Sequence, residues 1–267
     1  MPRIKLTVAY DGTNYCGWQV QPNGVSIQAV LQKAIENLLG KPTDVTGASR
    51  TDSGVHALGQ VAVFDTDSRI PAWKYAMAIN QRLPDDIVVQ KSEIVPDDFH
   101  PRYQEVEKTY EYRILNRRTA LPNERLYSWH YRQKLDTQAM QRAAALFIGT
   151  HDFGAFCSIK TSADSTVRTV YTSNITRSGD IITYRISGDG FLYNMVRIIM
   201  GALAKVGVGQ RSDEDILRAL QNPSVKFGTP TAPARGLTLV GIRYPETEEK
   251  TEKSARQAGE NDVNSFR

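Results

Sequence analysis

The chain has 267 residues, 40% hydrophobic and 23% charged, which fits about two cored domains and excludes wholesale disorder. No apolar run approaches the ~18 residues that cross a bilayer, and two cysteines, Cys16 and Cys157, cannot build a disulfide framework. The formal charge is +4 although residues 246–267 hold six acids against four bases, so the body ahead of them is the basic part. Arginine outnumbers lysine 21 to 12, a bias that suits phosphate forks and stacking on bases.

Residues 3–10 place Ile4, Leu6, Val8 and Tyr10 at alternate positions, the pattern of a half-buried strand. The chain enters this strand without the roughly 7–15-residue apolar core of a signal peptide, so the cytoplasm is the expected compartment. A polar loop follows, and Ser26 then caps a helix whose apolar stripe runs Ile27, Val30, Leu31, Ala34, Ile35, Leu38 and closes at Gly40. Residues 43–48 read as a strand, 49–57 as a loop and 60–66 as a strand. Pro71 opens a short helix and 87–95 returns as a strand, giving the order β-α-β-β-α-β.

The second half repeats that order. Residues 108–114 read as a strand, and Asp136 caps a helix reaching to about Phe147. Residues 166–176 and 181–187 form a hairpin around Ser178-Gly179-Asp180. A helix over 191–205, an inserted helix over 213–220 and a strand over 237–244 complete it. The expected fold class is therefore α/β (α+β), with two related ferredoxin-like halves side by side in an extended sheet and a cleft between them. The expected divisions are 1–100, 101–245 and a polar, mobile tail over 246–267.

Three groups of residues could carry chemistry. Ser49-Arg50-Thr51-Asp52-Ser53-Gly54 is a dense polar loop between apolar strands, and the cations and donors beside Asp52 should favour its ionised form. A turn capped by Asp52, with Gly54 at positive φ, explains the same residues. Arg197 stands alone on an apolar helix, so it either snorkels to the surface or meets a buried anion, for which Asp52 is one candidate. Tyr110 and Tyr112 share one strand face, with the charged residues on the other. They are core residues, or Tyr110 is a stacking platform for a base with its hydroxyl left free. Trp18 is either exposed or folded under its loop, and Arg117 and Arg118 either touch phosphate or form a solvated turn. No phosphate-binding P-loop, dinucleotide fingerprint, nucleophile elbow or metal-ligand spacing of His56, His100, His130 and His151 is present.

Five strings, YDGTNYCGWQVQ, SRTDSGVHALGQV, EKTYEYRI, FLYNMVRIIMGAL and TAPARGLTLVGIRY, occur in that order between residues 5 and 244. Together they resemble the tRNA pseudouridine synthase A family, with Ser49 and Ser53 where that family more often has glycine and alanine. The resemblance implies isomerisation of uridine to pseudouridine at positions 38, 39 and 40 of the tRNA anticodon stem and loop. It implies Asp52 as the catalytic aspartate, Tyr110 as the active-site tyrosine, Arg197 as the partner of the aspartate and Arg50 as the residue that swings the base out. It also implies a homodimer that uses neither metal nor organic cofactor, with tRNA as its partner. A glycosidic hydrolase using the same carboxylate, and a non-catalytic RNA chaperone, are the competing readings.

Overall fold

A computed structural model of the chain describes residues 1–158 and 164–244. The expected mobile tail lies outside the described residues. The first half runs β1 (Arg3–Tyr10), α1 (Ile27–Leu39), β2 (Thr46–Gly47), β3 (His56–Asp65), α2 (Tyr75–Asn80) and β4 (Ile87–Val95). The second runs β5 (Glu107–Asn116), β6 (Trp129–Tyr131), α3 (Thr137–Ala145), β7 (Gly149–Asp152), β8 (Val167–Ser178), β9 (Ile181–Gly188), α4 (Met195–Gly207), α5 (Asp213–Gln221) and β10 (Leu237–Arg243).

Among the described residues the ten strands join one sheet in the order β4-β1-β3-β10-β5-β9-β8-β7, with β2 added to β3 and β6 to β5. Read by position within each half, β4-β1-β3-β2 and β10-β5-β9-β8 are the same ferredoxin-like order. The halves meet where β3 and β10 pair in parallel, Thr238 opposite His56 and Leu239 opposite Ala57. Antiparallel pairing resumes on both sides, to β1 and to β5.

Local chemistry explains the elements that match expectation. The Ser26 side chain accepts the Ala29 N–H to start α1, and Gly40 ends it in the left-handed region at φ 71°. Ile27, Leu31, Ala34 and Ile35 are its buried face, and each large side chain among them contributes about 1.5–3 kcal/mol by leaving water. The principal core includes Leu6, Val8, Trp18, Leu31, Tyr112, Tyr184 and Leu203 and is continuous across the two halves. A smaller cluster of Val61, Val63, Phe99, Val106 and Tyr244 covers the other face of β3, since Val61 and Val63 alternate with Ala62 and Phe64.

Several boundaries differ from expectation. The strand expected over 43–48 shrinks to β2, which pairs only with Ala62 and Val63 of β3. Strand β3 starts four residues early, where His56 and Ala57 pair with β10. Helix α4 begins at Met195, not 191: Asn194 sits at φ 61°, where no α-helix can pass. Strands β6 and β7 were not expected; they are short, and each pairs with its neighbour in the chain, β6 with β5 and β7 with β8. Among the described residues no helix is long and apolar enough to cross a membrane.

Candidate active site

The loop between β2 and β3 is clamped from several directions. Ala48 N–H donates to the Val61 carbonyl at 2.8 Å. The Gln60 side chain accepts the Ser49 N–H at 3.1 Å and returns a bond to the Ser49 carbonyl at 2.6 Å. Trp18 N–H donates to the Thr51 carbonyl at 3.1 Å, and the Tyr10 and Thr51 hydroxyls meet at 2.8 Å. Trp18 is folded completely under the loop. The Val55 N–H closes a turn onto the Asp52 carbonyl at 3.1 Å, with Gly54 at φ 77°. The turn reading of Gly54 was therefore sound, and the Asp52 side chain does more than turn the chain.

Arg197 comes from the first turn of α4. Its Nη1 donates to Asp52 Oδ2 at 3.1 Å and to Asn194 Oδ1 at 2.8 Å, while its Nε donates to the Ala232 carbonyl at 2.8 Å. Both side chains of the Asp52–Arg197 pair are 17% exposed. The pair joins a carboxylate of the first half to a guanidinium of the second, beside the β3–β10 seam. Three acceptors from three segments fix the guanidinium, so one edge of the carboxylate is held in a set direction.

Burial pushes the Asp52 carboxyl above its ordinary value, against the attraction and hydrogen bond of Arg197. This corrects the expectation that its surroundings favour the ionised form. Arg197 limits the rise and does not reverse it.

Tyr110 also differs from expectation. Its ring is 6% exposed and lies edge-on to Phe191, centroids 5.2 Å apart. Its hydroxyl meets Ser49 Oγ at 2.9 Å, so it is not free. Burial raises the phenol to about 12, an effect the Ser49 bond offsets and the nearby Asp52 charge adds to. A base stacking on this ring would meet Phe191 beside it. Tyr112, on the same face, is fully buried and donates to the Pro233 carbonyl at 2.7 Å. The face is not free of charge either, because Lys108 shares it. Arg50 is exposed at the start of the loop, outside the Asp52–Arg197 contact and close enough to Arg102 to lower that guanidinium's pKa after burial has done so. Arg117 pairs with Asp180 at 3.2 Å, which fits the solvated-turn reading.

Sequence reasoning gave no role to Asn194 or the Ala232 carbonyl, and placed Ser49 in the loop without its bond to Tyr110. Asn194 left a usable sign: an asparagine after Gly188-Asp189-Gly190 is a residue that tolerates left-handed backbone. A groove of about 510 Å³ on the other face, lined by Asp11, His56, Glu111, Arg113 and Tyr127 among others, contains none of Asp52, Tyr110, Arg197 or Arg50. Among the described residues no three of His, Cys, Asp and Glu gather as a metal ion would require.

The family model described as tRNA pseudouridine synthase matches residues 6–104 and 143–245. The chain belongs to that family. The tRNA pseudouridine synthase A of Thermoanaerobacter sp. (strain X514) is 48% identical over 244 residues, 91% of this chain and 100% of that protein. That of Acetivibrio thermocellus is 48% identical over 246 residues with the same coverage, and that of Citrifermentans bemidjiense 45% over 247 residues, covering 92% and 99%.

Proposed function

We propose that the protein isomerises uridine to pseudouridine at positions 38, 39 and 40 in the anticodon stem and loop of tRNA. The observation that carries this reading is the 3.1 Å contact of Asp52 with Arg197 at the seam between the halves, in a chain of this family. In this reading the halves 1–100 and 101–245 divide the work: the first brings Asp52 and Arg50, the second Tyr110 and Arg197. The enzyme acts in the cytoplasm as a homodimer.

The reaction breaks the N1–C1′ glycosidic bond, turns the uracil and forms a C5–C1′ bond. The proton on C5 leaves, N1 gains one, and no electrons are exchanged. Asp52 is the group that engages the sugar or the base, and it must be ionised to do so. Arg197 keeps it aimed and limits the pKa rise that burial imposes. A stem uridine has to leave the stack first, at a cost of a few kcal/mol. Arg50, exposed at the loop entrance, enters the space the base vacates. Tyr110 offsets part of that cost by stacking, about 1–3 kcal/mol per base. The enclosed pair keeps water from the activated sugar, which would otherwise release free uracil.

Mapping pseudouridine in tRNA from cells lacking the protein tests the assignment. Loss at positions 38–40 and recovery on re-expression is the expected result. Unchanged modification there, or free uracil from the purified protein and tRNA, would contradict it.

A further inference from the structure

The far end of the same loop meets two more cations. Arg102 Nε donates to the Gly47 carbonyl at 2.6 Å, and Lys108 Nζ donates to the Ala48 carbonyl at 3.0 Å. Tyr110 then meets Ser49, so Gly47, Ala48 and Ser49 are held in succession by Arg102, Lys108 and Tyr110. Lys108 and Tyr110 project from one face of β5, two residues apart.

A carbonyl needs only a neutral donor, and sinking an ammonium for that purpose costs desolvation that a counter-ion normally repays. Among the described residues neither Arg102 nor Lys108 has a carboxylate within ion-pair distance. An ammonium carries three N–H donors, and Ala48 takes one. Two of the three charged groups acting on Lys108, Arg102 and Arg168, are of the same sign, and Asp189 is the exception. Burial first, then Arg102 and Arg168, with Asp189 opposing, bring the Lys108 pKa down to about 8. The Arg168 side chain lies over Gly190, at the glycine turn that leads into α4. Cations held this close, short of negative charge and one residue from Ser49, form a seat for an oxyanion.

We infer that Lys108 and Arg102 grip a phosphodiester of the RNA strand beside the everted nucleotide, with Arg168 at the rim of the same seat. The inference rests on the tRNA reading above and adds residues to it. The competing role is a purely structural strap on the Gly47 and Ala48 carbonyls.

Salt-dependent binding of an unmodified tRNA transcript separates the two. Lys108→Gln and Arg102→Gln each keep an amide able to donate to the carbonyl and remove the charge. Each should lower the slope of log Kd against log salt by about 0.7–0.9, the value of one lost phosphate contact, while keeping the thermal midpoint. A strap predicts an unchanged slope, and that result in both variants overturns the inference. The unaltered protein gives a second reading should either variant fail to fold. The charged groups facing Lys108 are Arg102, Arg168 and Asp189. Lys108 loses its proton in that interval, so tRNA affinity at fixed salt should fall by about three- to tenfold from pH 7 to pH 9. Constant affinity across it overturns the grip. Wild-type protein that neither binds tRNA nor makes pseudouridine would instead sink the functional reading; wild type that does both, with no change in slope or pH response, sinks only this one.

Discussion

At the scale of single residues, Asp52 is held between opposed effects, and burial is the larger. Its folded pKa lies above the ordinary carboxylate value, so ionising it works against folding: that stabilising contribution is complete below the unfolded pKa and lost as pH rises through the folded one. Activity has the opposite sign, since the proposed chemistry needs the anion. The acid limb of kcat/KM should therefore lie above the range of a free carboxylate. Arg197→Met removes both influences that lower the pKa, so the limb of the residual activity should move further up. A limb that stays put in the variant would mean that Asp52 and Arg197 are not coupled. Asn194 is a second case, for it supplies both a left-handed backbone and an acceptor for Arg197. Asn194→Gly keeps the backbone and should hold stability while losing activity. Asn194→Ala should lose about 1–2 kcal/mol of stability as well. Denaturant midpoints together with turnover distinguish these, and equal stability of the two variants would show that the backbone is unstrained.

At the scale of elements, the site depends on how closely the loops before α1 and before β3 approach. Gly17 has φ 108°, and a Cβ there would lie 2.6 Å from the Thr51 carbonyl oxygen, one residue from Asp52. Gly17→Ala should cost about 2–4 kcal/mol and depress turnover by displacing the loop. Wild-type stability and activity in that variant would mean the two loops are not mechanically linked. What the sequence revealed of these elements follows the range of the forces that set them. Helix α1 was legible from Ser26 to Gly40 because its caps and stripe are local. The extent of β2 and β3 was not, since two different strands share one edge of β3, and β10 lies about 180 residues further on. Arg197 was legible as a charge needing a partner, because its own helix offers none. Tyr110 was misjudged because Ser49 reaches its hydroxyl, and Phe191 its ring, only through tertiary packing.

For the whole molecule, one sheet and one principal core span both halves, so the pair at their seam rests on a common scaffold. Thermal unfolding followed by calorimetry should show a single cooperative transition over the body of the chain. Two resolved transitions would mean that the halves melt separately and that Asp52 and Arg197 part when the first of them unfolds. The chemistry that this scaffold supports is tested most directly by tritium release from C5-labelled uridine in tRNA. Wild-type protein should release the label. Asp52→Asn should release it slower by a factor on the order of 10³ or more while still binding tRNA. Normal release by that variant would contradict the account, because Asp52 would then have no part in the reaction.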